Sequence, residues 1–135
     1  MMTEGVAADA EVRAVLEEWA AATRQGRKEQ VLRHHAEGLV IFDVLPPMKY
    51  ESAEAYRRSW DEWQPETQGE AVFDLEELAI TAREELAFAH CFIRCGGRLA
   101  DGSRFQDLVR ATFCLEKVNG AWRVQHQHVS KPYAR

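Results

Sequence analysis

The sequence lacks the features that mark a membrane, secreted or nucleic-acid-binding protein. Its 135 residues include no apolar run long enough to cross a bilayer. The first residues, MMTEGVAADAEVR, have neither the basic start nor the long apolar stretch of a signal peptide. The formal net charge is −5, and no basic patch stands out that would neutralise phosphates. We therefore expect neither a membrane nor a nucleic acid as a partner.

Cysteine is scarce, and several catalytic motifs are missing. The three cysteines are Cys91, Cys95 and Cys114, and an odd number without an export signal favours free thiols in a reducing cytoplasm. Cys91 and Cys95 lie four residues apart in a predicted strand, so they share a face but are too far apart to bond. No Gly-x-Ser-x-Gly elbow exists, and the glycines carry no phosphate-binding pattern. These absences argue against a serine hydrolase and a nucleotide-binding protein.

Helical periodicity dominates the first half of the chain and two-residue alternation the second. After a loose lead-in over residues 1–8, Asp9 is the predicted N-cap of a first helix that ends at Gly26. A second short helix is expected to run through His35 to Gly38, and Ser52 is expected to cap a third. Strands are predicted over residues 39–44, 70–81, 85–95, 104–117 and 121–130. The order predicts one α+β domain over residues 9–135.

The most informative segment is the last predicted hairpin, whose turn is Asn119-Gly120. Pairing outward from this turn sets His126 opposite Phe113 and His128 opposite Ala111, so that each pair shares a face. Two imidazoles thus end an otherwise apolar stripe that faces the core, which indicates a pocket. The inward-facing stripe is predicted to contain Val109, Ala111, Phe113, Leu115, Trp122, Val124, His126 and His128. The opposite, outer face is predicted to contain Arg110, Thr112, Cys114, Glu116, Arg123, Gln125 and Gln127.

The order of elements and three local stretches resemble a known superfamily. The stretches are "AEGLVIFDVLPP", "SAEAYRRSW" and "NGAWRVQHQHVSKPY", and together they span nearly the whole chain. They are similar to the nuclear transport factor 2-like superfamily, and within it to the SnoaL-like and ketosteroid-isomerase-like proteins. The resemblance implies three N-terminal helices packed on the concave face of a strongly curved, mostly antiparallel sheet, as in a cystatin-like roll. The helices and the curved sheet together would form a cone. The resemblance also implies an apolar cavity inside this cone and a homodimer through the outer sheet face.

The resemblance further implies a proton-shuttling carboxylate at Asp43, late in the first strand. In ketosteroid isomerase, a tyrosine and a protonated aspartic acid hold the oxyanion. Trp19 stands at the tyrosine position, and Ala111 or Phe113 at that of the aspartic acid, so both donors are missing. Steroid isomerase activity is therefore not expected. From the residues alone, Asp43 follows an apolar strand, and it is interpreted either as a partly desolvated base or as a cap of the Pro46-Pro47 turn.

Histidines supply the second group of candidates. We interpret His126 as an acid or oxyanion donor, and His128 as pocket lining, because imidazole titrates near neutral pH. The alternative is a satisfied core histidine. A metal site is the other alternative, since histidines two apart on a strand can chelate one ion, with Asp43, Asp107 or His90 as a third ligand. The prediction retained has no metal and no cofactor. The remaining predicted substrate-binding residues are Trp19, Trp60, Phe113, His90 and Asp107, with the facing of His90 left open.

Two functions remain open from the sequence. The first is a cofactor-independent isomerase or lyase that acts on a small hydrophobic carbonyl compound, with Asp43 as base and His126 as acid. The second is a non-catalytic protein of the same fold, in which these groups only orient a small ligand. The missing oxyanion donors favour the second function. A carboxylate and an imidazole in one predicted cavity favour the first.

Overall fold

The structure, a computed structural model, describes the backbone of residues 2–63 and 68–133 and the side chains of residues 7–59 and 68–133. The elements follow the predicted order, in which one strand lies between the second and third helices and four long strands come last. The elements are α1 (Met2–Arg24), α2 (Lys28–Val31), β1 (His35–Phe42), α3 (Ala53–Trp63), β2 (Gln68–Ala82), β3 (Leu86–Arg98), β4 (Arg104–Val118) and β5 (Ala121–Ser130).

The five strands form one sheet in the order β1-β5-β4-β3-β2. The pair β1–β5 is parallel, and the other three pairs are antiparallel. Helices α1 and α3 pack against one side of this sheet, which we call the inner face. The predicted α+β class and the mostly antiparallel sheet are confirmed. Of the described helices, none is long and apolar enough to span a membrane.

The early boundaries differ from the prediction. Helix α1 begins at Met2, so residues 2–8 are helical, and Asp9 lies inside the helix instead of capping it. Helix α2 ends at Val31, and β1 already begins at His35. The prediction that His35 belongs to the end of a helix is therefore wrong. The side chain of His35 instead points into the core, where it is 7% exposed.

The predicted hairpin turn at Asn119-Gly120 and the predicted helix cap at Ser52 are both present. Asn119 and Gly120 both have positive φ, 50° and 81°, as a tight hairpin turn with a right-handed twist requires. The pairing that follows, from Val118 with Ala121 to Leu115 with Val124, is the predicted register. Ser52 caps α3, because its Oγ accepts a hydrogen bond from the backbone N–H of Ala55 at 3.1 Å.

A β-bulge in β5 overturns the rest of the hairpin register. Leu115 pairs with Val124, but the next residue, Cys114, pairs with His126, so Gln125 is an extra residue. One extra residue reverses the facing of every side chain beyond it. The predicted pairing of His126 with Phe113 is therefore wrong. Gln127 takes that place, and it is 0% exposed where the prediction put it on the outer face.

Candidate functional site

Asp43 follows β1 directly and is held by two protein donors. The Tyr56 hydroxyl of α3 donates to Oδ2 at 3.0 Å, and the backbone N–H of Val44 donates to Oδ1 at 2.7 Å. Tyr56 is buried and packs edge-on against Tyr50, with ring centroids 5.2 Å apart. Asp43 itself is half-buried. The carboxylate thus points toward α3 and is fixed in orientation.

The inner face carries further polar groups beside Asp43. Cys95 on β3 pairs with Asp107 on β4, and Lys131 Nζ binds the Asp107 carboxylate at 2.8 Å. Burial raises the pKa of the Cys95 thiol, and the charges of Asp107 and Asp43 raise it further, against the opposing effect of Lys131. The hydrogen bond from Lys131 lowers the pKa of Asp107. Asp107 and Lys131 are about half-exposed, so this end of the inner face opens to solvent.

The deep end of the inner face holds a buried polar pair. His35 Nε2 lies 2.9 Å from Gln127 Oε1. Because an amide oxygen only accepts, the imidazole Nε2–H must donate here, which leaves Nδ1 as an acceptor. Within residues 7–59 and 68–133, neither His35 Nδ1 nor Gln127 Nε2 has a hydrogen-bond partner. Burial lowers the pKa of His35 to about 4, against the opposing effect of the Gln127 hydrogen bond. The imidazole is therefore neutral at physiological pH.

Aromatic rings surround this pair. The Trp19 ring centroid lies 6.2 Å from that of His35, 5.1 Å from that of Phe73 and 5.3 Å from that of Phe113. Phe113 pairs with Gln127 across the β4–β5 ladder. The predicted inward orientation of Trp19 and Phe113 is confirmed, since both are buried.

Small side chains separate the buried pair from Asp43. The next inward-facing positions beyond Phe113 and Gln127 are Ala111 and Val129, which pair with each other, and Ala111 also pairs with Cys91. The preceding inward residue of β3 is Ala89. These side chains are small and buried, and they line the inner face between its two ends. We call the set His35, Gln127, Asp43, Cys95 and Asp107 the inner-face site.

The other predicted histidines lie on the outer face. His126 Nδ1 lies 2.7 Å from the Val40 carbonyl oxygen; because a carbonyl only accepts, Nδ1 carries the proton. The Phe42 ring contacts both imidazoles, with centroid distances of 4.9 Å to His126 and 5.3 Å to His128. His90 is exposed between Phe88 and Phe92. The inward orientation predicted for His126 and His128 is thus wrong, because the bulge at Gln125 reverses it.

Two shallow grooves lie on other parts of the surface, and the first of them shares Asp43 with the inner-face site. One, of about 500 Å³, runs between the loop at residues 43–48 and His128, so Asp43 and His128 border a common surface. The other, of about 460 Å³, lies beside Gln125 and Phe88.

Among residues 7–59 and 68–133, no three histidine, cysteine or acidic side chains are grouped to hold a metal ion. Trp60 lies in α3, but its side chain falls outside the described residues.

Sequence reasoning missed His35 and Gln127 for separate reasons. His35 was placed on a helix that ends four residues earlier, at Val31. Gln127 was assigned to the outer face because no glycine or other typical bulge residue marks Gln125. The apolar neighbours of both residues, Leu39 and Val129, are the only local signal that these segments are buried.

Comparison with known proteins gives the family. Residues 12–134 match the model of the SnoaL-like domain. The chain belongs to the SnoaL-like family. No curated protein matches the sequence of this SnoaL-like protein.

Solved structures agree with this assignment. A nuclear transport factor 2-like protein of unknown function from Pseudomonas putida is 30% identical, with a TM-score of 0.85 over 97% of this chain and 91% of that one. A Streptomyces avermitilis protein of the same superfamily, provisionally named a dehydratase, is 18% identical, with a TM-score of 0.78 over 95% and 99%. The association domain of C. elegans CaMKII is 14% identical, with a TM-score of 0.74 over 94% and 98%. The last two show the fold of the SnoaL-like protein alone, and the predicted superfamily is confirmed.

Proposed function

We propose that this SnoaL-like protein binds a small hydrophobic carbonyl compound at the inner-face site, and that Asp43 moves a proton on it. The observation that carries the proposal is the Asp43 carboxylate, half-buried and oriented by the Tyr56 hydroxyl at 3.0 Å. A positioned carboxylate in a partly dry site is suited to general base catalysis. The Streptomyces relative provisionally named a dehydratase is compatible with such a lyase or isomerase, which needs no cofactor.

The proposed step is a proton transfer at the carbon next to the ligand carbonyl. Asp43 takes the proton, the electron pair of the C–H bond forms a carbon–carbon double bond, and the π pair of the carbonyl group moves to its oxygen, which gives an enolate. Return of the proton from Asp43 to another carbon gives isomerisation. In elimination, the enolate expels a hydroxyl group from the next carbon, and this group takes the proton from Asp43 and leaves as water. Tyr56 holds the carboxylate during both transfers. His126, predicted as the acid, lies on the outer face and is not part of this proposal.

Exchange of α-protons tests the base without knowledge of the physiological substrate. The probe is 2-tetralone in D₂O, with loss of its α-proton signals followed by NMR. We expect the wild-type protein to accelerate exchange, and Asp43→Asn to lose about 10²-fold of that acceleration or more. Asp101→Asn, in the exposed β3–β4 turn, is the matched control and should retain it. Equal exchange rates for wild type and Asp43→Asn would remove Asp43 as the base.

A non-catalytic binding function is the second candidate, and one observation favours it. Both carboxylate oxygens of Asp43 already accept hydrogen bonds from protein donors, which suits a structural or ligand-orienting group as well as a base. In this case 2-tetralone binds to wild type and to Asp43→Asn alike, and neither accelerates exchange. The two functions are separated by measuring binding and exchange on the same samples.

We also propose a homodimer through the outer sheet face. Large apolar side chains stand exposed there, among them Leu86 at 64%, Phe88 at 51% and Phe92 at 39%, and such patches mark interaction surfaces. Light scattering after size exclusion should give a dimer for wild type and a monomer for Phe92→Asp. Phe105→Asp is the control. Phe105 is about as exposed as Phe92, at 41%, but it lies on the inner face of its strand, as Asp107 does. A monomeric wild type would contradict the proposal.

A cytoplasmic location is proposed from the thiols. Cys91, Cys95 and Cys114 are free, and burial raises the pKa of Cys91 to about 11, which keeps its thiol unreactive. Free thiols are typical of proteins in a reducing compartment, because disulfides form and persist in oxidising ones. The thermal midpoint should be the same with and without a reducing agent, and a fall on reduction would count against this location.

A further inference from the structure

We propose that the side-chain amide of Gln127 donates a hydrogen bond to an uncharged oxygen of the ligand, and that His35 positions this amide. The inference rests on the proposed ligand binding at the inner-face site and names the ligand group recognised there. It adds a donor that the family resemblance did not supply, since Trp19, Ala111 and Phe113 replace the known ones.

The first argument is the orientation of the amide. The His35 Nε2–H bond to Gln127 Oε1, at 2.9 Å, fixes which end of the amide faces the imidazole. The NH₂ end is then left over, and Gln127 Nε2 has no partner among the side chains and backbone of residues 7–59 and 68–133. A buried donor without a partner is rare in native proteins and requires an explanation. Recognition of a ligand oxygen is one such explanation.

The second argument is that the two polar side chains at the deep end are both uncharged. His35 is neutral at physiological pH, because burial holds its pKa at about 4, and Gln127 is uncharged. The surrounding rings of Trp19 and Phe113 are apolar and buried. A carboxylate or phosphate placed here would lose its hydration without meeting a cation. The deep end is therefore suited to a ketone or a hydroxyl on a hydrocarbon framework.

The third argument is the position of Gln127 relative to Asp43. Ile41 pairs with Gln127 in the parallel β1–β5 ladder, and Asp43 is two residues further along the chain. Two strand residues span roughly 7 Å, and residues two apart face the same side of a strand. One ligand of about two fused rings can thus meet the amide with its oxygen and the carboxylate with a carbon nearby.

The test compares three probes of one size. 2-Tetralone has the oxygen, tetralin lacks it, and 1,2,3,4-tetrahydro-2-naphthoate carries a charge. Binding is followed by ¹⁵N–¹H NMR, in which the side-chain NH₂ signals of Gln127 are the direct reporter. We expect 2-tetralone to bind about fivefold more tightly than tetralin, the value of one neutral hydrogen bond, and to shift the Gln127 NH₂ signals. The naphthoate should bind more weakly than 2-tetralone.

Variants separate recognition from folding. In Gln127→Met, and in the doubly apolar variant His35→Leu/Gln127→Met, 2-tetralone should lose its advantage while the affinity for tetralin stays the same. His35→Leu should lower the ratio of the two affinities, which a purely structural role of His35 would leave unchanged. Gln125→Met, the same change at the bulge of β5, is the control and should keep the wild-type ratio.

The outcomes distinguish this inference about Gln127 from the ligand-binding proposal on which it rests. If no probe binds the wild type, the ligand-binding proposal fails and takes the Gln127 inference with it. If 2-tetralone and tetralin bind equally and shift other inner-face signals, ligand binding stands and the role of Gln127 is refuted. An oxygen preference that persists in Gln127→Met refutes it equally.

Discussion

Replacing both members of the His35–Gln127 pair by apolar residues is expected to stabilise the fold, although each single replacement should destabilise it. The double variant is His35→Leu/Gln127→Met, which nearly conserves side-chain volume. In the wild type, one hydrogen bond at 2.9 Å joins the pair, and each residue keeps one buried atom without a partner among residues 7–59 and 68–133. The pair therefore contributes one favourable hydrogen bond to stability and buries two polar atoms that have no hydrogen-bond partner among the described residues.

The magnitude follows from these counts. A neutral hydrogen bond contributes about 1 kcal/mol net, and each unsatisfied buried group costs about 1–3 kcal/mol. The double variant removes one favourable and two unfavourable contributions, and repacking opposes it by less than about 1.5 kcal/mol. We expect its free energy of unfolding to rise by about 1–3 kcal/mol. Each single variant still leaves two unpaired polar atoms and loses the hydrogen bond, so it should be less stable by about 1 kcal/mol.

Urea denaturation of the four proteins, followed by circular dichroism at pH 7.5, measures the resulting double-mutant cycle. A coupling of at least about 2 kcal/mol between the two sites is expected from the values above. The reasoning is refuted if the double variant is no more stable than the wild type, or if the effects of the two single variants simply add. Gain of stability together with loss of 2-tetralone preference would identify the pair as a functional element that costs stability.

Three further predictions concern pH, a cap and a glycine. Because the pKa of His35 is about 4 in the fold against about 6.5 unfolded, only the unfolded chain binds the proton between these values. The wild type should therefore lose about 3 kcal/mol, relative to the double variant, as the pH falls from 7.5 to below 4; parallel pH profiles would contradict this. Ser52→Ala should lower the free energy of unfolding by about 1 kcal/mol, since it removes the cap of α3, and an unchanged urea midpoint would show that the cap is dispensable. Gly96→Ala should lower it by about 1–3 kcal/mol or prevent folding, because a Cβ there would overlap the Phe105 carbonyl. Gly38→Ala, with no atom within 4 Å of the added Cβ, is its control and should change stability little.

The local sequence predicts the structure correctly wherever that structure depends on residues close together in the chain. The Asn119-Gly120 turn, the Ser52 cap and the alternation of β3 and β4 all rest on contacts within a few residues. The inward positions of Ala111, Phe113 and Leu115 followed from counting outward from that turn, and they are buried. The family resemblance likewise came from the order of these local elements, and the match over residues 12–134 confirms it.

The candidate site was predictable only in part. The family resemblance predicts both Asp43 and Trp19 as site residues, and the apolar strand before Asp43 supports that prediction. His35 was missed because helix and strand compete for a short segment, and pairing of its strand with β5 decides the outcome. His126 and His128 were misplaced because one extra residue, Gln125, reverses their facing.

The sequence by itself determined the class of fold, the family and the hairpin register as far as Val124. These properties depend on periodicity and turn chemistry, which are written in consecutive residues. Only the tertiary structure decided that Gln127, and not His126, faces the core, and that it meets His35 there. A β-bulge is set by how β5 satisfies two neighbouring strands at once, and that competition between long-range pairings leaves no mark on the local pattern.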